Sequence, residues 1–389
     1  MQQHSSLAKK HNYVQSGIPG HSAPGGKKTG GAGRFLRALL LICVALALIV
    51  AVVYGISLAI GGGNDIVYLN ARVTDNIQAF GENVLYYDGA TLYCVKPNGA
   101  SKWAFTLGPS ANFTCTETMV IAWSGSQLHI LTRDGVPTYS DRLENSIRFA
   151  RVGAQYAAVC MGTETSGTVR VMTHTGAVLE NDDYTDLYML DAGFFAPREQ
   201  YLWTLGLDVG GNAPISRIRS YEPGRAFNGA VELDDEVVYR IFPHSNLLMV
   251  IDTSKIRAFN YKLTEQPDVP AVSVYGWSAQ AVRAVGKTTY TLLTQMPTAD
   301  APTFSELRVA PTSGAAYSLR LLSPCFAGAL GDKGVYGFGP DVVYFAPYGA
   351  TLCKATHLTY AVSSFVCLLN GGRAVMTYGD RVFIMKLPE

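Results

Sequence analysis

Charge is scarce in this 389-residue chain: Asp, Glu, Lys and Arg make up 16% of it, and 31 basic residues nearly cancel 30 acidic ones. No strong basic footprint is available to neutralise the phosphates of a nucleic acid, so no nucleic-acid partner is expected. Seven cysteines occur, but none forms a Cys-x-x-Cys pair or stands beside histidines at zinc spacing, which removes the usual basis for a structural metal site. Also missing are a Gly-x-Ser-x-Gly elbow, a His-Glu-x-x-His helix and a glycine loop that would cradle phosphates. The ordinary hydrolase and nucleotide-binding chemistries therefore lack their anchors. No catalytic, cofactor-binding or metal-binding residue is assigned, no cofactor is expected, and the chain is not read as an enzyme.

What the chain does contain is one long apolar run, Leu36 to Ile60, free of charge from Ala38 onward. At about 1.5 Å of rise per residue, a helix of this length crosses a hydrocarbon core about 30 Å thick. A secretory signal peptide is the competing reading, but its apolar region is usually only about 7 to 15 residues long. Residues 35–61 are accordingly expected to form a single transmembrane helix, with Cys43 as a lipid-facing thiol. Lys9, Lys10, Lys27, Lys28, Arg34 and Arg37 precede it with no acidic residue among them, which places the N-terminus in the cytoplasm. Taking those six from the total leaves 25 basic against 30 acidic residues, a net charge of −5 for the part expected outside the cell. Residues 1–34 are rich in Gly, Ser, Lys and His and bury too little to order themselves, so they read as a disordered basic cytoplasmic tail.

Residues 64–389 read as an extracytoplasmic all-β domain. Short alternating runs rich in Val, Tyr, Leu and Thr are separated by Gly, Asn-Gly, Asp-Gly and Pro. The runs repeat. Val84 to Gly99 reads as strand, tight turn, strand, turn; shifted by 36 positions, Gly125 to Gly135 keeps both glycines and Leu128 in register, and Ser166 to Gly176 is a third copy. Gly349-Ala350-Thr351-Leu352 repeats Gly89-Ala90-Thr91-Leu92, while Gly371 and Gly379 match Gly81 and Gly89 at a constant offset of 290. A four-stranded unit of about 36 to 50 residues cannot bury both of its faces, and radial stacking of such units solves that problem. Units beginning near Ile77, Asn112, Ile147, Asp186, Val237, Ala281, Lys333 and Ser364 predict a β-propeller of four-stranded antiparallel sheets. Eight blades are favoured over seven. The last unit offers three strands, so Ile66 to Ala71 is expected to supply its outer strand and close the ring.

The stretch Leu92 to Trp103, an apolar strand followed by Asn98-Gly99 and a Trp four positions after the glycine, resembles the repeat of quinoprotein-like propellers. Gly135 and Gly176 lack the Trp. Taken whole, a basic tail, one span and a divergent propeller resemble an uncharacterised family of membrane-anchored propeller proteins of Gram-positive bacteria. That resemblance implies a fold and a location, and it carries over no catalytic residue.

The remaining features have ordinary structural readings. Cys94, Cys115, Cys160, Cys353 and Cys367 fall inside expected strands as small buried hydrophobes; His129 and His174 occupy neighbouring positions of the third-strand repeat, His244 and His357 are isolated, and all four read as strand or surface histidines. Two acidic groups, Asp182-Asp183 with Asp186 and Glu232 with Asp234-Asp235-Glu236, are expected in loops between units, where carboxylates could gather Ca²⁺ or simply be solvated. Asn112-Phe113-Thr114 fits a glycosylation acceptor. Inserts at Leu207 to Pro214, Tyr261 to Pro270 and Met296 to Thr303 are the candidate binding loops, because long loops on a rigid ring commonly carry function. The expected role is a membrane-anchored interaction module for an envelope protein or cell-wall material. The competing roles are a propeller enzyme, quinoprotein-like or glycan-acting, and a ligand sensor.

Overall fold

A computed structural model describes residues 66–389 apart from 196–199, 245, 297 and 299–301. The basic tail and the apolar run expected to span the membrane lie outside the described residues. Among the described residues no helix is long and apolar enough to cross a membrane. Residues Gly63–Glu389 form one compact unit.

That unit is an eight-bladed β-propeller. Each blade is an antiparallel sheet of four strands, occupying residues 76–106, 112–142, 147–185, 188–234, 238–273, 277–325 and 327–357 for blades 1 to 7. Blade 8 takes its three inner strands from 364–386 and its outermost strand from Ile66–Arg72. The first strand of each blade is innermost, and around the central axis first strands of neighbouring blades pack together, as those of blades 1 and 8 and of blades 3 and 4 do. The expected unit starts at Asn112, Ile147 and Ser364 coincide with strand starts. Those at Ala281 and Lys333 are late, because blade 6 begins at Trp277 and blade 7 at Ala327. The inner strand Ala327–Leu330 reads Ala-Gly-Ala-Leu, which has no β-branched or aromatic residue to mark it.

The core is divided among the blade interfaces. Among the described residues there are eight buried clusters, each spanning two adjacent blades. One joins Ile121 and Ile130 of blade 2 to Ala150 and Val159 of blade 3, and another joins Val84 of blade 1 to Val375 and Ile384 of blade 8. Side chains of the inner strands add clasps to the next blade: Gln78 Nε2 donates to the Phe113 carbonyl at 2.9 Å, Thr114 Oγ1 to Ala150 at 3.0 Å, and Arg240 to Ala279 at 3.1 Å. Because every buried face faces a neighbour, the ring is stable only when closed. Ile66–Arg72 closes it, pairing antiparallel with Arg381–Lys386 from Ile66 opposite Met385 to Leu69 opposite Val382.

The turn between third and fourth strands is a second interlock. Gly99, Gly135, Gly176 and Gly224 hold these turns with positive φ, where L side chains are strained. A Cβ on Gly135 would stand 2.6 Å from the ring of Trp103, whose Nε1 donates to the Arg133 carbonyl at 3.0 Å. Tyr139 covers Gly176 in the same way, so the Trp absent after Gly135 is replaced by another aromatic at the equivalent position. Val67 of the closing strand covers Gly99. Gly135→Ala is expected to cost about 2 to 5 kcal/mol, from the left-handed backbone and the clash with the ring. In a Trp103→Ala background only the backbone part, about 1 to 3 kcal/mol, should remain. Urea unfolding of the two single variants and the double variant measures both.

The four-residue identity of Gly349-Ala350-Thr351-Leu352 with Gly89-Ala90-Thr91-Leu92 does not mark equivalent places. Gly89 and Ala90 join the second and third strands of blade 1, whereas Gly349 to Leu352 join the third and fourth strands of blade 7. Tight turns of both kinds draw on the same small residues, so the match reflects turn chemistry.

Candidate functional site

In a four-stranded meander the turns from second to third strand emerge on the same side as the connections from fourth strand to the next blade. We call this the upper face, and the side bearing first-to-second and third-to-fourth turns the lower face. The inserts Leu207 to Pro214 and Met296 to Thr303 connect second to third strands, in blades 4 and 6, so their described ends lie on the upper face. Tyr261 to Pro270 follows a third strand and lies on the lower face. It folds back on its own blade, where the Gln266 backbone amide donates to the Ala258 carbonyl at 2.8 Å and Glu265 bridges to Phe259, and it reaches blade 4, where Tyr261 stacks on Tyr201 at 4.8 Å. This third insert covers a blade whose outer strand is only Val272–Ser273.

Exposed large hydrophobic side chains gather between the two upper inserts. Of fourteen exposed large hydrophobic residues among those described, seven belong to the upper side of blades 4 to 6: Tyr188, Leu190, Val209, Tyr239, Tyr275 and Met296, with Leu322 in the outer strand that climbs to this face. Tyr275 is 87% exposed and Leu322 92%. Single exposed hydrophobics are ordinary, whereas a concentration of Tyr, Met and Leu on one face is the composition of an interface.

Local backbone structure explains part of it. The inner strands of blades 3, 4, 5, 6 and 8 each contain one extra residue near their upper ends: Arg148, Leu190, Tyr239, Gln280 and Val366. A β-bulge bends the strand and re-aims the side chain at the extra position. In blades 4, 5 and 6 that residue is exposed. Nothing in the one-dimensional pattern announces these positions, because a bulge is defined only by the register of the partner strand.

Beneath the patch lies an ionic network. Asp252, fully buried, accepts from the Ser254 hydroxyl and amide at 2.7 Å, the Lys255 amide at 2.9 Å and Arg257 at 3.1 Å. Arg257 also pairs with Glu236, which holds Lys255 at 3.2 Å. Burial pushes the Asp252 carboxyl up, yet these donors together hold it below the ordinary carboxylate value. Asp191 shows the opposite balance: burial pushes its carboxyl up against the pull of Arg151, 2.8 Å away.

The acidic groups are not loop clusters. Asp182 and Asp183 lie in the outer strand Val178–Thr185, and Glu232 and Asp234 in Ala226–Asp234, leaving only Asp186, Asp235 and Glu236 in connections. Several are consumed by neighbours: Asp182 accepts from the Tyr221 hydroxyl at 2.7 Å, and Glu232 pairs with Arg217 at 3.3 Å. Among the described residues no group of three His, Cys, Asp or Glu could hold a metal. The histidines stay apart, His129 contacting Ser140 at 2.8 Å and His174 the Gly153 carbonyl at 3.0 Å. Cys353 lies just before the strand Lys354–His357 and not within a strand. Burial raises the thiols of Cys94 to about 11 and of Cys115 and Cys367 to about 12, so they are protonated and unreactive at neutral pH. The acceptor Asn112 opens the inner strand Asn112–Cys115 of blade 2, with its side chain exposed.

No protein-family model and no curated protein sequence matches the chain. Solved structures do. BamB from Moraxella catarrhalis matches with a TM-score of 0.51 at 10% identity, covering 83% of this chain and 98% of that one. The C-terminal WD40 domain of Sif2 matches with a TM-score of 0.57 at 9% identity, covering 83% and 99%. Apo AztD from Citrobacter koseri matches with a TM-score of 0.51 at 9% identity, covering 76% and 88%. At such identities the likeness is one of fold: this chain carries a β-propeller similar to those of BamB and the WD40 domains.

Proposed function

We propose that this protein is an interaction module held at the outer side of a cell membrane, and that it grips a protein partner of the envelope with the upper face of blades 4 to 6. The observation that carries the reading is the gathering of Tyr188, Leu190, Val209, Tyr239, Tyr275 and Met296 on one face between two inserts. Large aromatic side chains supply contact area at low conformational cost and dominate binding energy at interfaces. The tethering half of the reading rests on the apolar run Leu36 to Ile60 and on the six basic residues before Ala38. Carbonate extraction and protease accessibility of intact cells test that half.

The docking half is tested with a photocrosslinking residue at Tyr275, and at Leu352 on the lower face as the control. A discrete adduct at position 275 and none at 352 is the expected result; equal labelling at both would sink the idea. Tyr275→Ala combined with Leu322→Ala should leave the unfolding temperature unchanged, since both side chains are exposed, while cutting recovery of that adduct's partner about tenfold or more.

A further inference from the structure

The lysines of the propeller are segregated. Of the eight within 66–389, only Lys255 stands on the upper face, where Glu236 holds it at 3.2 Å. The other seven occupy turns or strand ends of the lower face. There Lys96, Lys262, Lys287 and Lys386 are exposed and have no carboxylate partner among the described residues. The acids of the lower face are largely taken: Asp134 by Lys102 at 2.8 Å, Glu389 by Lys333 at 2.6 Å, Asp332 by Arg283, and Glu117 by Asn370 at 2.8 Å. Among the described residues Glu82, Glu265 and Asp268 remain against the four exposed lysines. A domain whose sequence is acidic in total thus turns its unpaired lysines to one side.

A second observation concerns the same side. Ile66, the first residue of the closing strand, lies on the lower face, and beside it opens a hollow of about 630 Å³ lined by Ile66, Val67, Glu82, Lys96, Asn98 and Arg373 among others. Lys96, Asn98 and Arg373 offer donors suited to a phosphate oxygen, with Glu82 as the one opposing charge. The apolar run of the sequence ends at Ile60, six positions before Ile66.

We propose that the lower face of the propeller rests on the anionic headgroups of a bilayer, with the phosphate of one headgroup taken between Lys96 and Arg373. The proposal uses only the tethering half of the functional reading above and is independent of the docking half. Lysines near an anionic surface each strengthen attachment several-fold, and the attraction is screened by salt. The upper face, on the opposite side of the ring, is then left free.

Residues 63–389 contain all eight blades and the closing strand and form a compact unit, so they serve as the test protein. Flotation would be measured with vesicles of phosphatidylcholine alone and with phosphatidylglycerol added. Raising salt from about 0.01 M to about 1 M shortens the Debye length from about 30 Å to about 3 Å. The expected result is partition only onto the phosphatidylglycerol vesicles, lost at high salt. It should fall about tenfold or more in Lys96→Glu/Lys262→Glu/Lys287→Glu/Lys386→Glu and stay unchanged in the upper-face variant Arg142→Glu/Arg381→Glu, at two exposed arginines outside any salt bridge among the described residues. Absence of partition, survival of binding at high salt, or equal loss in the upper-face variant would overturn the proposal. None of these outcomes depends on whether Tyr275 contacts a protein.

Discussion

Deleting Ile66–Arg72 from residues 63–389 is expected to remove most of the stability of the propeller, although the segment is only seven residues long. It is the sole outer strand of blade 8 and pairs along Arg381–Lys386. Ala71 is buried, and Val67 and Leu69 pack into the cluster shared by blades 8 and 1, against Val84, Val375 and Ile384. Burying an aliphatic side chain fully contributes about 1.5 to 3 kcal/mol, so losing these partly buried residues costs about 4 to 6 kcal/mol before the lost strand pairing is counted. Domain stabilities are about 5 to 15 kcal/mol, which makes the loss comparable to the whole. The deletion also leaves Gly99 uncovered by Val67 and exposes a strand edge that can pair with other chains. The truncated protein should unfold at markedly lower urea, lose cooperativity and associate on gel filtration, and a synthetic peptide of Ile66–Arg72 supplied in excess should recover part of the transition. An unchanged urea midpoint would show that the ring does not depend on its closing strand.

Asp252→Ala should be the most damaging single substitution on the upper face, at about 3 to 5 kcal/mol, because it strips the buried Arg257 of its fully buried counter-charge. Arg257 already has an Nε with no hydrogen-bond partner, and its remaining carboxylate is that of Glu236. The substitution also removes the acceptor that holds the turn at Ser254 and Lys255. Asp252 has a depressed carboxyl in the folded state, so the unfolded chain binds a proton first as pH falls. Its contribution is therefore complete above the ordinary carboxylate pKa of about 4 and fades as pH drops below that value. Urea unfolding of the parent and of Asp252→Ala at neutral pH and at about pH 3 should show the gap between them narrowing in acid. A gap that widened instead would mean that the carboxylate is not the charged partner of Arg257.

Much of the architecture could be read from particular residues. Gly81, Gly89, Gly371 and Gly379 mark equivalent turns in blades 1 and 8 because positive φ demands glycine there, and the strands between them alternate as a half-buried sheet must. The closing role of Ile66–Arg72 followed from a count of strands. Other features were hidden for identifiable reasons. Ala327–Leu330 forms an inner strand because its neighbours bury it, against its own composition. The carboxylates of Val178–Thr185 and Ala226–Asp234 look like loop residues, yet they lie in outer strands facing arginines and a tyrosine of adjacent strands or blades.

By itself, then, the amino-acid sequence determined a repeating all-β ring, its approximate blade spacing and the strand that completes it, since turn chemistry and two-residue alternation are local properties of the chain. Only the tertiary structure decided which turns share a face. Whether an insert follows a second or a third strand places it on opposite sides of the ring, and whether an inner strand carries an extra residue turns Leu190 or Tyr239 outward. Both depend on strand register and on closure of the ring, which are relations between segments far apart in sequence and have no signature within either segment alone.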